Sequence, residues 1–183
     1  MDRAKLEEKQ VASKEIFRGD ILHLFKDDIA LPDGNSATRE VIRHVGAVCV
    51  VPLTDDGRVV IEHQYRYPVD RVLTEIPAGK LNTPDEDPEK AVRRELREET
   101  GASARELICL GEFFPACAYS DERILMYLAK GLTFGEQELD RDEFLEVEQV
   151  PLEELVTEIL DGKIPDSKTQ AAVLRAYLME RGR

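Results

Sequence analysis

Three glutamates, Glu95, Glu98 and Glu99, stand at i, i+3 and i+4 within Arg94-Glu95-Leu96-Arg97-Glu98-Glu99-Thr100-Gly101-Ala102. On a helix that spacing puts the carboxylates on one face, where like charges repel unless something positive lies between them. A hard divalent cation that prefers carboxylate oxygens, Mg²⁺ or Mn²⁺, answers the need. Arg93, Arg94 and Arg97 also allow a plainer reading, in which these acids form ordinary surface ion pairs. The helix itself is well specified. Asp87 suits the N-cap, Pro88 the first helical position and Glu89 the positive end of the dipole, and Gly101 can close the far end. Ahead of the helix runs a loop, Gly79-Lys80-Leu81-Asn82-Thr83-Pro84-Asp85-Glu86.

Gly79, Glu86 and the segment from Arg94 to Ala102 together resemble the Nudix box. That pattern reads Gly, five residues, Glu, seven residues, Arg-Glu-apolar-any-Glu-Glu-any-Gly-apolar. The second half agrees at every fixed position. In the first half six residues separate Gly79 from Glu86, while Asp85 keeps the five-residue spacing and breaks the other. Glu86 is thus read either as a metal ligand or as a loop anchor. The lead-in Glu75-Ile76-Pro77-Ala78-Gly79-Lys80-Leu81 resembles the ADP-ribose pyrophosphatases of the superfamily, as do Arg39-Glu40, Gln64-Tyr65-Arg66 and Asp142-Glu143-Phe144.

The resemblance implies a Mg²⁺-dependent hydrolase, with Mn²⁺ as a substitute, that splits ADP-ribose into AMP and ribose 5-phosphate. Glu95 and Glu99 are the first metal ligands, with Glu98 in support and the backbone oxygen of Ala78 beside them. The general base is placed on an acidic loop outside the box, here the run from Glu136 to Glu143. Glu143 is the first choice, counted also with the metal ligands; Asp142 and Asp140 follow, and a merely solvated loop is the alternative. Arg94 orients the carboxylates by charge-assisted hydrogen bonds or forms a surface pair. The resemblance further assigns Arg39, Arg66, Glu75 and Glu122 to substrate, with Arg39 acting across a homodimer that shares the N-terminal sheet. The loop after Phe113-Phe114 departs: Ala116-Cys117-Ala118 stands where relatives often carry Ser-Pro-Gly. Two other functions stay open. One is the same chemistry on another nucleoside diphosphate, such as a nucleotide sugar or dinucleotide; the other is a module that binds ADP-ribose without cleaving it.

These residues need elements to hold them. Residues 11–31 alternate apolar and polar, Pro32-Asp33-Gly34-Asn35 is a turn signal, and Thr38 to His44 returns as a strand, which predicts an antiparallel N-terminal sheet. Gly46 to Leu53 is a continuous apolar run, as in a strand buried on both faces, and Arg58 to Arg66 follows as a second core strand. Strands are predicted over Glu106–Phe114, Ile124–Ala129 and Phe144–Val150. One helix begins at Pro151, and a last one runs from an N-cap at Ser167 to Glu180. Alternation of strands with two or three helices predicts an α/β class, a Nudix-type α/β/α sandwich with a mixed sheet. The expected division is 1–44 for the N-terminal sheet and 45–183 for the hydrolase domain.

Composition bounds the partners. At 183 residues and 42% hydrophobic content the chain can bury a proper core. A net charge of −13 with no basic stripe argues against a nucleic-acid backbone as partner. No segment is long and apolar enough for a membrane span or a signal-peptide core. Cys49, Cys109 and Cys117 have no metal-like pairing, and the apolar runs around Cys49 and Cys109 predict buried thiols in a reducing cytoplasm. So acidic a protein can take a phosphate ester most simply through metal ions bridging the two.

Overall fold

The computed structural model describes residues 2–139, 141 and 143–182. They fall into two compact units. The first comprises the residues through Val45 together with Ala116–Arg123, and the second comprises Gly46–Pro115 and the chain from Ile124 onwards.

In the first unit, β1 (Lys9–Arg18), β2 (His23–Ala30) and β3 (Ser36–Arg43) form an antiparallel sheet in the order β1-β2-β3. Pro32-Asp33-Gly34 turns β2 into β3: Gly34 takes a φ of 88°, and Asp33 accepts the Asn35 amide at 3.0 Å. Every residue of β1 is exposed, including Val11, Ile16 and Phe17. Buried Asp27 ties the three strands together, accepting from Gln10 at 2.9 Å, Ser13 at 2.5 Å and Arg43 at 2.7 Å. The Ala116–Arg123 loop attaches to the end of β3, where the Ile42 amide donates to Tyr119 at 2.8 Å and the His44 amide to Asp121 at 2.8 Å.

The second unit is built on β4 (Ala47–Pro52), buried along its whole length as its apolar run predicts. A four-stranded sheet has the order β7-β4-β9-β8, with β7 (Ala78–Lys80), β8 (Ala102–Phe113) and β9 (Ile124–Phe134); β4 and β9 are parallel and the other pairs antiparallel. A three-stranded antiparallel sheet has the order β10-β5-β6, from β5 (Arg58–Arg66), β6 (Arg71–Glu75) and β10 (Leu145–Pro151). The alternation of β4 sorts two cores. Val48 and Val50 pack with Ala91, Val92 and Leu96 of α1 (Pro88–Thr100). Ala47, Cys49 and Val51 pack with Val59 and Ile61 of β5, with Leu155, Val156 and Ile159 of α2 (Leu152–Leu160), and with Ala172, Val173 and Ala176 of α3 (Ser167–Glu180). Helices therefore lie on both faces, and the mixed α/β expectation holds.

Three local expectations need correction. Cys109 is exposed, not buried: it lies on β8 in unbroken register with Tyr127 of β9, on a side of the strand that stays open to solvent there. Asp166 rather than Ser167 caps α3, because its carboxylate accepts the Thr169 amide at 2.9 Å. Pro151 closes β10 and caps α2 instead of opening the helix. The short strands β6 and β7 were not foreseen.

Candidate active site

The cap residues of α1 fix its start and register. Asp87 accepts the Glu89 amide at 3.0 Å, and Gly101 ends the helix at a φ of 69°. Glycine is required there: a Cβ would lie 2.4 Å from the carbonyl oxygen of Gly135. The segment after β9 fastens to this end of the helix. Gly135 donates to Gly101 at 2.7 Å, the Glu138 amide to Glu98 at 3.0 Å, and the Gln137 side chain to the Glu99 carbonyl at 2.5 Å.

With Ala91, Val92 and Leu96 facing the sheet, Glu95 and Glu99 are carried inward as well; they are 9% and 4% exposed, while Glu98 is half-buried. β7 receives them. A Cβ on Gly79 would lie 2.0 Å from the carboxyl carbon of Glu95, so the absent side chain is the space the Glu95 carboxylate fills. One residue earlier, the Ala78 amide donates to Glu99 at 3.0 Å. Arg94 gathers the helix acids, donating to Glu95 at 2.6 Å and Glu98 at 3.3 Å, and also to the Lys80 carbonyl at 3.2 Å. Glu86 lies 3.7 Å from Arg94 and accepts the Asn82 amide at 2.5 Å, which folds the loop that carries the one extra residue back on itself.

Glu62 joins this group from β5. It is wholly buried, and neither of its carboxylate oxygens has a hydrogen-bond partner among the described residues. Burial pushes it up to about 7. Burial, followed by the charges of Glu62 and Glu95, pushes Glu99 up to about 10, and burial also raises Glu95 despite Arg94. The cause is common to all three: an ionised carboxylate out of water costs several kcal/mol unless something compensates it. The charge of Glu143, half-buried ahead of β10, acts on all three as well. An all-carboxylate donor set with an orphaned member suits a hard divalent cation. Among the described residues no three acid, histidine or cysteine side chains are already gathered as a ligand shell. Glu95 is drawn to Arg94, and Glu99 to the Ala78 amide.

A second charged cluster lies where β5 and β6 meet α3. Arg66 forks onto Glu75 with two bonds of 2.7 Å, Lys168 donates to Glu75 from the other side and lies 3.2 Å from Asp166. The Thr169 hydroxyl donates to Asp166 at 2.6 Å and accepts the Ile76 amide at 3.0 Å. Burial would raise Glu75, but the bonds and charges of Arg66 and Lys168 outweigh it and hold the group below the usual carboxylate value. Arg66, Glu75, Asp166 and Lys168, together with Pro68, Val69 and Leu73, line a cavity of about 310 Å³.

The residues expected from the sequence therefore divide. Ala78, Gly79, Arg94, Glu95, Glu98 and Glu99 converge, with Glu86 at the flank. Arg66 and Glu75 bind each other in the neighbouring cluster. Arg39 and Glu122 belong to the first unit, where Arg39 pairs with Glu8 and Glu122 lies 4.0 Å from His44. Asp140 and Asp142 lie outside the described residues. Sequence reasoning missed Glu62, Lys168 and Asp166. The signal for Glu62 was an acid directly continuing the apolar run Val59-Val60-Ile61, where the strand stays buried.

A model of the NUDIX domain matches residues 43–173, and one of the nucleoside diphosphate sugar hydrolase N-terminal domain matches residues 8–42. The chain is 40% identical to an ADP-ribose pyrophosphatase of Bacillus subtilis over 177 residues, covering 96% of this chain and 95% of the relative. It is 40% identical over 176 residues to a methanol dehydrogenase activator of Bacillus methanolicus, covering 95% of each. A solved structure of an ADP compounds hydrolase superposes with a TM-score of 0.79 over 97% of this chain and 98% of that one, at 22% identity, which speaks for the fold.

Proposed function

The chain belongs to the Nudix hydrolases, and we propose that it is a Mg²⁺-dependent enzyme, Mn²⁺ serving in place of Mg²⁺, that cleaves the diphosphate of ADP-ribose to AMP and ribose 5-phosphate. The observation that carries this reading is the seating of Glu95 and Glu99 on β7, with bare Gly79 under one carboxylate and the Ala78 amide on the other. Such a seat has no use in a surface ion pair. It puts Glu99 where the charge of Glu95 adds to its cost of ionisation.

Glu95 and Glu99, with Glu98 and the Ala78 carbonyl, would hold the cation. When bound it would supply charge neutralisation for the diphosphate and lower the pKa of a coordinated water. Arg94 keeps Glu95 and Glu98 oriented. Glu143 takes the proton of the attacking water, a role supported by its charge reaching Glu62, Glu95 and Glu99. Arg66 and Glu75 receive the nucleoside half in the adjoining cavity. Arg39 and Glu122 complete the substrate contacts in a homodimer joined through residues 1–44, whose fully exposed β1 offers the surface. Three free thiols accord with a cytoplasmic setting.

A substrate panel of ADP-ribose, nucleotide sugars and dinucleotides, read by AMP and sugar phosphate release, tests the reading. ADP-ribose is expected to give the highest kcat/KM, with activity abolished by EDTA and restored by Mg²⁺. Full activity in excess chelator would overturn the metal chemistry. The second reading keeps the chemistry and changes the substrate. It is favoured by Ala116-Cys117-Ala118, which puts small side chains on the loop where relatives often carry Ser-Pro-Gly; a higher kcat/KM on another nucleoside diphosphate would establish it.

A further inference from the structure

Among the described residues, the two oxygens of Glu62 are the only buried carboxylate oxygens without a hydrogen-bond partner. The position is not a tolerated surface slip. Glu62 continues the buried run Val59-Val60-Ile61 and is itself 0% exposed, paired in register with Glu75 on β6 and Val147 on β10. The nearby cations are already committed. Arg66 spends its fork on Glu75, and Lys168 divides between Glu75 and Asp166. An acid buried this way is retained against a cost of several kcal/mol, so a partner absent from the protein itself is the economical explanation. The direction in which that partner lies follows from the chain. Three residues beyond Glu75, the Ala78 amide is bonded to Glu99, and the charge of Glu62 reaches Glu99.

We propose that Glu62 is a further ligand of the divalent cation, reaching the site from the sheet while Glu95 and Glu99 reach it from α1. The inference rests on the reading of the α1 acids as a cation site, and it adds a ligand outside the box. A site fed from both a strand and a helix would be held by two elements that pack in different cores, which fixes its depth between them.

The test uses the full chain with Mn²⁺ alone and no substrate, so it does not depend on which diphosphate is cleaved. Mn²⁺ affinity is read by calorimetry or by the electron paramagnetic resonance of the free ion, and melting is followed in EDTA. Glu62→Gln is expected to weaken Mn²⁺ binding by at least ~10-fold and to raise the metal-free melting temperature at alkaline pH, where the buried carboxylate has no partner. Glu62→Asp keeps the charge but withdraws the oxygens by one methylene, and it too is expected to weaken binding by several-fold. Unchanged affinity in Glu62→Gln overturns the proposal. So does full affinity in Glu62→Asp, which would reduce Glu62 to a distant charge. If Glu62→Gln does not fold, Glu62→Asp decides alone. Glu99→Gln is the control: if it also binds Mn²⁺ normally, the cation reading of α1 has failed, whereas loss there with no loss in the Glu62 variants sinks this inference only.

Discussion

The two charged clusters of the second unit bury acids in opposite ways. Around Glu75 every charge meets its opposite: Arg66 forks onto it, Lys168 closes the other side, and Asp166 is held by Lys168 and the start of α3. Around Glu99 acids face acids, and Arg94 bonds Glu95 and Glu98 and lies 3.7 Å from Glu86. The first arrangement satisfies itself and holds β5, β6 and α3 in place. The second leaves Glu62 without a partner among the described residues, the deficit that the proposed cation would make good.

The sharpest way to break the comparison is to remove one member of the matched cluster. Lys168→Met should cost about 3–5 kcal/mol of stability, because it leaves Glu75 and Asp166 short of a buried partner. Urea unfolding at neutral pH checks it. A loss below about 1 kcal/mol, the range of exposed pairs, would mean that this cluster is no better matched than the other.

The same operation on the unmatched cluster should act in the other direction on stability. Glu99→Gln is expected to lower kcat by at least ~100-fold while leaving metal-free stability unchanged or raised. Near-normal turnover at saturating Mg²⁺ would dispose of Glu99 as a ligand. A large loss of stability in EDTA would show instead that the acid is structurally compensated after all.

The sequence made one cluster legible and hid the other. The α1 acids could be read because helical spacing converts three sequence positions into one face, and because Asp87, Pro88 and Gly101 mark the helix ends. β4 could be read for a similar reason, since a strand covered on both sides shows as an unbroken apolar run. Lys168 and Glu75 are 93 residues apart, and nothing in either neighbourhood signals the pairing. Glu62 stood inside the core strand read from Arg58 to Arg66, but a strand pattern does not say which of its charges is buried. Cys109 erred the other way: an apolar context predicted burial, but neighbouring apolar residues do not show which side of a strand is covered. β7 is only three residues long, Ala78–Lys80, too short for any periodicity.

Gly79 sharpens the comparison by moving one acid rather than neutralising it. A methyl at this position would displace the Glu95 carboxylate, which sits at the end of a flexible side chain and can yield. Misplacement by about 1 Å can cost ~100-fold in rate, and because Glu95 can readjust, Gly79→Ala should lose about 10-fold in kcat. Stability should barely change. The mutant's kcat at saturating Mg²⁺, set beside that of Glu99→Gln, is the measurement; wild-type turnover would mean that Glu95 does not need this seat.

The smallest effect, and the one that sets the two clusters directly against each other, is the pH dependence of metal-free stability. Burial raises Glu62 to about 7 and Glu99 to about 10 from an ordinary value of 4.5. The folded protein thus keeps protons that the unfolded chain gives up. Stability from these two is full below about pH 4.5 and drains away as pH rises through about 7 and towards 10. Glu75 is shifted the other way, by Arg66 and Lys168 overcoming burial, so its contribution is present above 4.5 and is lost as pH falls. In EDTA the melting temperature of the wild type should therefore decline from about pH 5 to about pH 9, and Glu99→Gln should flatten that decline. Saturating Mg²⁺ should flatten it too, because a cation binds these carboxylates in the ionised form that the empty site disfavours. Lys168→Met should lower the whole curve without removing the slope. If Glu99→Gln melts with the wild-type slope, the acids of α1 are not carrying protons in the metal-free protein, and the contrast between the two clusters is one of geometry only.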